Sequence, residues 1–288
     1  HIFAKLRRFQ LVPSGLSDDT EFLRRVCLDI IGMLPPPNRV QEFLNDPDPN
    51  KRNKLIEILL DSPEYVDFWT FRFSDFLRAS RPPIPNQLYF EWIRDSIAAN
   101  KPYDQMAQER LAAQGRDRPS RHYYENNSQP GRILSEEMRV FAGRRFDCAE
   151  CHDHPFESWS QDQFWGLAAF FGNIDFIGPF EVIFDNPLGG YGDKGQSGLL
   201  KHPRRKTVVE PAFLDGTLLA KEHRLDPRLE LARYVTSHPY FSESMVNRMW
   251  GYFLGKGIVD PVDDFKDSNP PTHPELLKAL ASEFRKSG

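Results

Sequence analysis

Apolar residues recur three and four positions apart through most of this 288-residue chain, the spacing of one helix face. In 17–31, SDDTEFLRRVCLDII, the stripe is Phe22, Val26 and Ile30, and the acidic start suits the positive end of a helix dipole. MLPPPN stops that helix, and RVQEFLND predicts a short second one. DPNKRNKLIEILLDS puts Leu55, Ile58 and Leu59 on one face, and SPEYVDFWTFRFSDFLRAS follows after Pro63. RPPIPN interrupts the pattern before QLYFEWIRDSIAAN, and YDQMAQERLAAQG ends at Gly115, placed to cap it.

Residues 116–131, RDRPSRHYYENNSQPG, are polar and read as a long loop. Helical spacing returns in ILSEEMRVFAGRRF and in SQDQFWGLAAFFG, with Ser160 at the N-cap of the latter. The period then changes. DFIGPFEVIFD and KTVVEPAFLDG predict short strands on either side of a Gly-rich loop, NPLGGYGDKGQSG. That loop does not join a strand to a helix, so it lacks the setting of a phosphate-binding turn. PRLELARYVTSHPYFSESMVNRMWGYFLG predicts two helices around Pro239, and HPELLKALASEFRK a last one. The expected fold is mainly α, a multi-helix bundle with a small β-strand insertion and long Pro/Gly-rich loops. Its expected segments are 1–172 with the cysteine motif, a β-containing connection at 173–216, and a helical region at 217–288. The natural protein is expected to continue past Gly288.

Composition is that of an ordinary globular protein, 40% hydrophobic and 27% charged, and a net charge of -4 offers no basic footprint for nucleic acid. No apolar run reaches the roughly 20 residues a membrane-spanning helix needs. The chain opens at His1 without an initiator Met, so the lack of a leader says little about compartment. With 23 Phe and 24 Pro, it is expected to pack its helices through large rings and to punctuate them with proline. Three cysteines cannot build a disulfide framework, and Cys27 lies on an amphipathic helix as a small buried hydrophobe.

The other two cysteines carry the chemistry. Cys148-Ala-Glu-Cys151-His152 is the C-x-x-C-H pattern of covalent haem attachment: two thiols add to the vinyl groups, and the adjacent imidazole ligates iron. A sixth ligand must come from afar, with Met138, Met245, Met249 and the other histidines available. The same residues allow a metal such as zinc on Cys148 and Cys151 with His152 or His154, although no second ligand pair supplies a fourth position. They also allow a disulfide or a free thiol pair, with no cofactor. Flanks that read as helix or loop disfavour a thioredoxin-like dithiol. Asp260, Asp263, Asp264, Asp267 and Asn269 are crowded as in a hard-cation site, but lack EF-hand spacing and serve turns equally well. Asn247, Arg248 and Trp250 are expected to be packing residues.

FLRRVCLDIIGMLPPPNRVQEFLNDPDPNKRNKLIEILLDSPEYVDFW and CAECHDHPFESWSQDQFWGLAAFFG together resemble the planctomycete-type cytochrome C-like domain family. LARYVTSHPYFSESMVNRMWGYFLGKGIVDPVDDFKDSNPPTHPELLKALASEF is similar to the start of its usual companion domain. The resemblance implies haem c on Cys148 and Cys151, with His152 as iron ligand. It also implies an exported protein, periplasmic or at the cell surface, in electron transfer or a haem-dependent redox step. His154, Pro155, Phe156 and Trp159 match the motif's continuation, with no role implied. It names neither an enzymatic activity nor a partner.

Overall fold

The computed structural model describes residues 1–79, 87–115, 117–126, 129–155, 157–177, 182–185 and 200–287. The expected break at 81–86, the Gly-rich loop and Phe156 lie outside them. The fold is mainly α, as the periodicity predicts. Contacts group the chain into two compact units, His1–Ser80 with Phe90–Asn100, and Arg81–Tyr89 with Lys101–Gly288.

The first unit contains α1 (Ile2–Arg8), α2 (Asp19–Ile31), α3 (Pro37–Asn45), α4 (Lys51–Leu60), α5 (Pro63–Phe76) and most of α6 (Gln87–Ala98). Asp18 accepts the Glu21 N–H and starts α2, which stops at Gly32 in the left-handed region, φ +70. A Cβ at Gly32 would also strike the Phe68 ring. Leu23, Val26, Cys27, Phe43, Leu55 and Leu59 form the core, with Phe22, Ile30 and Ile56 packed against it. Ile58, expected on the buried face of α4, is 55% exposed. Leu55 and Leu59, a helical turn apart, set the buried face, and Ile56 rather than Ile58 flanks it. Cys27 is fully buried, as expected.

The second unit contains α7 (Tyr103–Leu111), α8 (Pro130–Glu137), α9 (Gln161–Ala168), α10 (Pro227–Ser237), α11 (Pro239–Leu254) and α12 (Pro274–Ser287). Helix α7 ends at Ala112 rather than Gly115, and 118–126, expected as loop, forms a 3-10 helix. Helix α8 runs on into a π turn, Met138–Ala142, that stops at Gly143 with φ +64. Of the two expected strand segments, the first supplies both strands. β1 (Ile174–Ile177) and β2 (Val182–Asp185) pair antiparallel, while 206–216 contributes only isolated bridges, including Lys201 with Val208 and Ala212 with Leu218. Helices α11 and α12 pack around Ile258, Val259, Phe265 and Leu277. Asn247, fully buried, donates to Val259 O and accepts the Val259 N–H, both at 2.8 Å, fixing the turn after α11.

Candidate cofactor-attachment site

The motif occupies a single 3-10 turn, Asp147–Glu150, with Cys151 at its end. The Ala149 N–H donates to Phe146 O and the Cys151 N–H to Cys148 O. This winding sends Ala149 inward, fully buried, and leaves both thiols exposed and unbonded. The turn is fastened from below by α9: Trp165 Nε1 and Gln161 Nε2 both donate to Glu150 O, at 3.0 and 2.8 Å. Ser160 caps α9 reciprocally with Gln163, as the sequence predicts, and so fixes where those two donors fall.

His152 is exposed, and its Nδ1 lies 2.7 Å from the Asp153 carbonyl oxygen. A carbonyl can only accept, so Nδ1 is the donor in this contact, and the Nδ1–H tautomer is the one that keeps a lone pair on Nε2. Metal-ligating histidines are oriented by this kind of N–H to carbonyl bond. Asp153 itself accepts the Gln161 N–H at 2.7 Å, which holds the next residue in place. His154 is treated differently: it is half-buried, and its main-chain N–H donates to Trp159 O at 2.8 Å, closing a loop over 154–159. Trp159 in turn packs against Phe146 at a tilt of 33°, centroids 4.7 Å apart. Two exposed thiols three residues apart and an exposed imidazole next in the chain are the residue types that covalent haem attachment requires.

Among the described residues, no three His, Cys, Asp or Glu side chains are grouped to hold a metal ion. The acidic stretch 260–267 is engaged otherwise: Asp263 pairs with Arg145 at 2.7 Å and Asp264 with Lys266 at 2.8 Å, while Asn269 donates to Asp264 O. The methionines are scattered. Met138 lines a small cavity with Tyr234, His238 and Tyr240, whereas Met245 and Met249 line an apolar groove of about 390 Å³ with Trp250, Phe253, Leu280 and Phe284. Neither lining includes the motif.

A second polar cluster was not legible in the sequence. Glu137, at the end of α8, accepts Arg110 Nη2 at 2.8 Å and Nε at 3.2 Å, while Arg110 Nη1 donates to the Tyr89 hydroxyl at 2.6 Å. His122 Nδ1 meets Pro119 O at 2.6 Å, and its Nε2 lies 3.2 Å from Glu137 Oε1, out of line for a hydrogen bond. All four side chains are buried. Burial alone would raise the Glu137 pKa, but the Arg110 charge outweighs it and holds the carboxyl down at about 2. Burial and the same guanidinium push His122 below its usual value, so it stays neutral. The cluster reads as a charged pin of the core rather than as a binding site.

These features define a mainly α protein with an exposed C-x-x-C-H turn. The chain belongs to the PSCyt2 family, described as a protein of unknown function (DUF1549), whose model matches residues 1–176. Residues 227–288 match the model of PSD1, likewise a protein of unknown function (DUF1553). These are the planctomycete cytochrome-C-like domain and its companion. Neither a curated protein nor a solved structure matches the chain.

Proposed function

We propose that this is an exported c-type haem protein, with Cys148 and Cys151 forming the thioether links and His152 Nε2 ligating iron. The observation that carries the proposal is the His152 Nδ1 contact with Asp153 O, on an exposed imidazole that follows two exposed, disulfide-free cysteines in the chain. The family's cytochrome-like name agrees with it. When bound, such a group supplies reversible one-electron transfer. The chain's own part is to hold the turn through Glu150 O and to fix the imidazole tautomer. With the motif on the surface, the group's edge would face solvent or a partner. Electron transfer, or a redox step served by it, is therefore the function proposed, with location in the periplasm or at the cell surface.

The test is protein produced with a working haem-attachment system. A Soret band, a pyridine haemochrome that resists acid-acetone extraction, and a mass increase of one haem are expected. Colourless protein of unmodified mass overturns the proposal. Metal analysis and a thiol count on that sample would then separate zinc held by Cys148, Cys151 and His152 or His154 from a Cys148–Cys151 disulfide.

A further inference from the structure

The motif segment is gripped on both sides by a turn that belongs to the other matched region. Ahead of the cysteines, Gly143 O accepts the Phe265 N–H at 3.0 Å, and Arg144 Nη1 donates to Phe265 O at 2.9 Å. Gly143 has no room for a side chain there: a Cβ would stand 3.0 Å from the Phe265 ring and from Ser244 Oγ. The Arg144 guanidinium also lies over the Tyr240 ring, 3.4 Å from its centroid. Arg145 donates to Asp263 Oδ1 at 2.7 Å, and Arg139, itself bonded to Asp147 beside Cys148, lies 3.8 Å from Asp263 Oδ2. Beyond the cysteines, Glu157 Oε2 accepts the Asp267 N–H at 3.2 Å. The gripping turn is held in its own right by Asn247 at Val259 and by Asn269 at Asp264 O.

We infer that the 263–267 turn is a working part of the cysteine site, with Asp263 as a positioning residue that holds the Cys148–His152 loop through Arg145 and Arg139. This rests on the motif being the functional site, whatever it binds. Asp263 gains a purpose that a cation site did not give it: it faces both Arg145 and Arg139, which border the motif. The region matched by PSD1 and the region matched by PSCyt2 thus build one site in cis, through residues 139–157 and 263–267.

The experiment uses the full chain purified without haem, with its thiols reduced, and follows iodoacetamide labelling of each cysteine by mass spectrometry. Buried Cys27 is the internal control for unfolding of the first unit, and hydrogen exchange in α7 and α10 is the control for the second. In Asp263→Asn, Arg145 and Arg139 lose their counter-charge and the loop loosens, and both effects favour attack by the thiolates. Labelling of Cys148 and Cys151 is expected to speed up about fivefold, the upper scale of one partly exposed ion pair. Hydrogen exchange across 144–157 should rise with it, Asp263→Glu should restore both, and Asp264→Asn should change little. Unchanged labelling and exchange in Asp263→Asn would overturn the inference, as would a fall in thermal stability with neither affected. In haem-loaded protein the same variant, with one negative charge fewer beside Arg145 and Arg139, should show a raised midpoint potential. Failure of the chain to take up haem sinks the haem proposal and leaves the labelling result to judge the turn.

Discussion

Glu137 is the residue whose removal the fold should tolerate least. It compensates Arg110 where neither reaches water, and breaking a buried pair by deleting one partner costs about 3–5 kcal/mol. Glu137→Ala should lose that much in urea unfolding of the second unit. The pair's neighbours set the acid response. His122, held neutral in the fold, takes up a proton on unfolding near pH 6.5, so its contribution is full above that pH and declines below it. Glu137, depressed from 4.5 to about 2, contributes fully above pH 4.5 and loses its share as pH falls toward 2. Urea midpoints measured across pH 7 to 3 should therefore fall in two stages, and His122→Gln should shrink the first, which His202 and His238, also lowered by burial, share. None of this was legible in the sequence, because positions 89, 110, 122 and 137 read separately as ordinary helix or loop residues. Cys27 was legible because its neighbours on α2 repeat at helical spacing. Ile58 was misplaced because a dense run of Leu and Ile lets more than one face be drawn.

At the scale of elements, local chemistry was readable where a side chain acts on its own backbone. Ser160 was such a case, and Ser160→Ala should destabilise α9 by about 1 kcal/mol in thermal or urea unfolding. Because α9 holds Glu150 O, the same variant should also speed hydrogen exchange at Ala149 and Cys151. The stop of α7 was misread for the opposite reason: Gly115 takes φ +56 in a later turn, after the helix has already ended at Ala112. The polar stretch 118–126 became a 3-10 helix because the buried His122 and Tyr123 pin it, the latter through its hydroxyl to Leu111 O at 2.6 Å. No local pattern announces that contact. Asn247→Ala, which strips both partners from the Val259 backbone, is expected to cost about 1–3 kcal/mol and to loosen the turn before Asp263.

For the whole molecule, the helical class and the location of the motif were carried by periodicity and by five contiguous residues. What the sequence could not supply was the pairing of 139–157 with 263–267, more than 100 positions apart, since charges so distant along the chain give no sign that they meet. The two regions recognised by separate family models are consequently joined by hydrogen bonds beside the cysteine motif rather than merely adjacent in the chain.

Trp165 fastens the cysteine turn from beneath through Glu150 O, and Trp159 packs just past it against Phe146. Both indoles can therefore serve as optical reporters of the cysteine turn. A porphyrin bound there would absorb where they emit and lie close enough to drain their excited states. Trp69, Trp92 and Trp250 emit as well, so the share lost from Trp159 and Trp165 is read by comparison with Trp159→Phe and Trp165→Phe variants. Intrinsic fluorescence recorded before and after loading would then follow occupancy of the turn in real time, without any label.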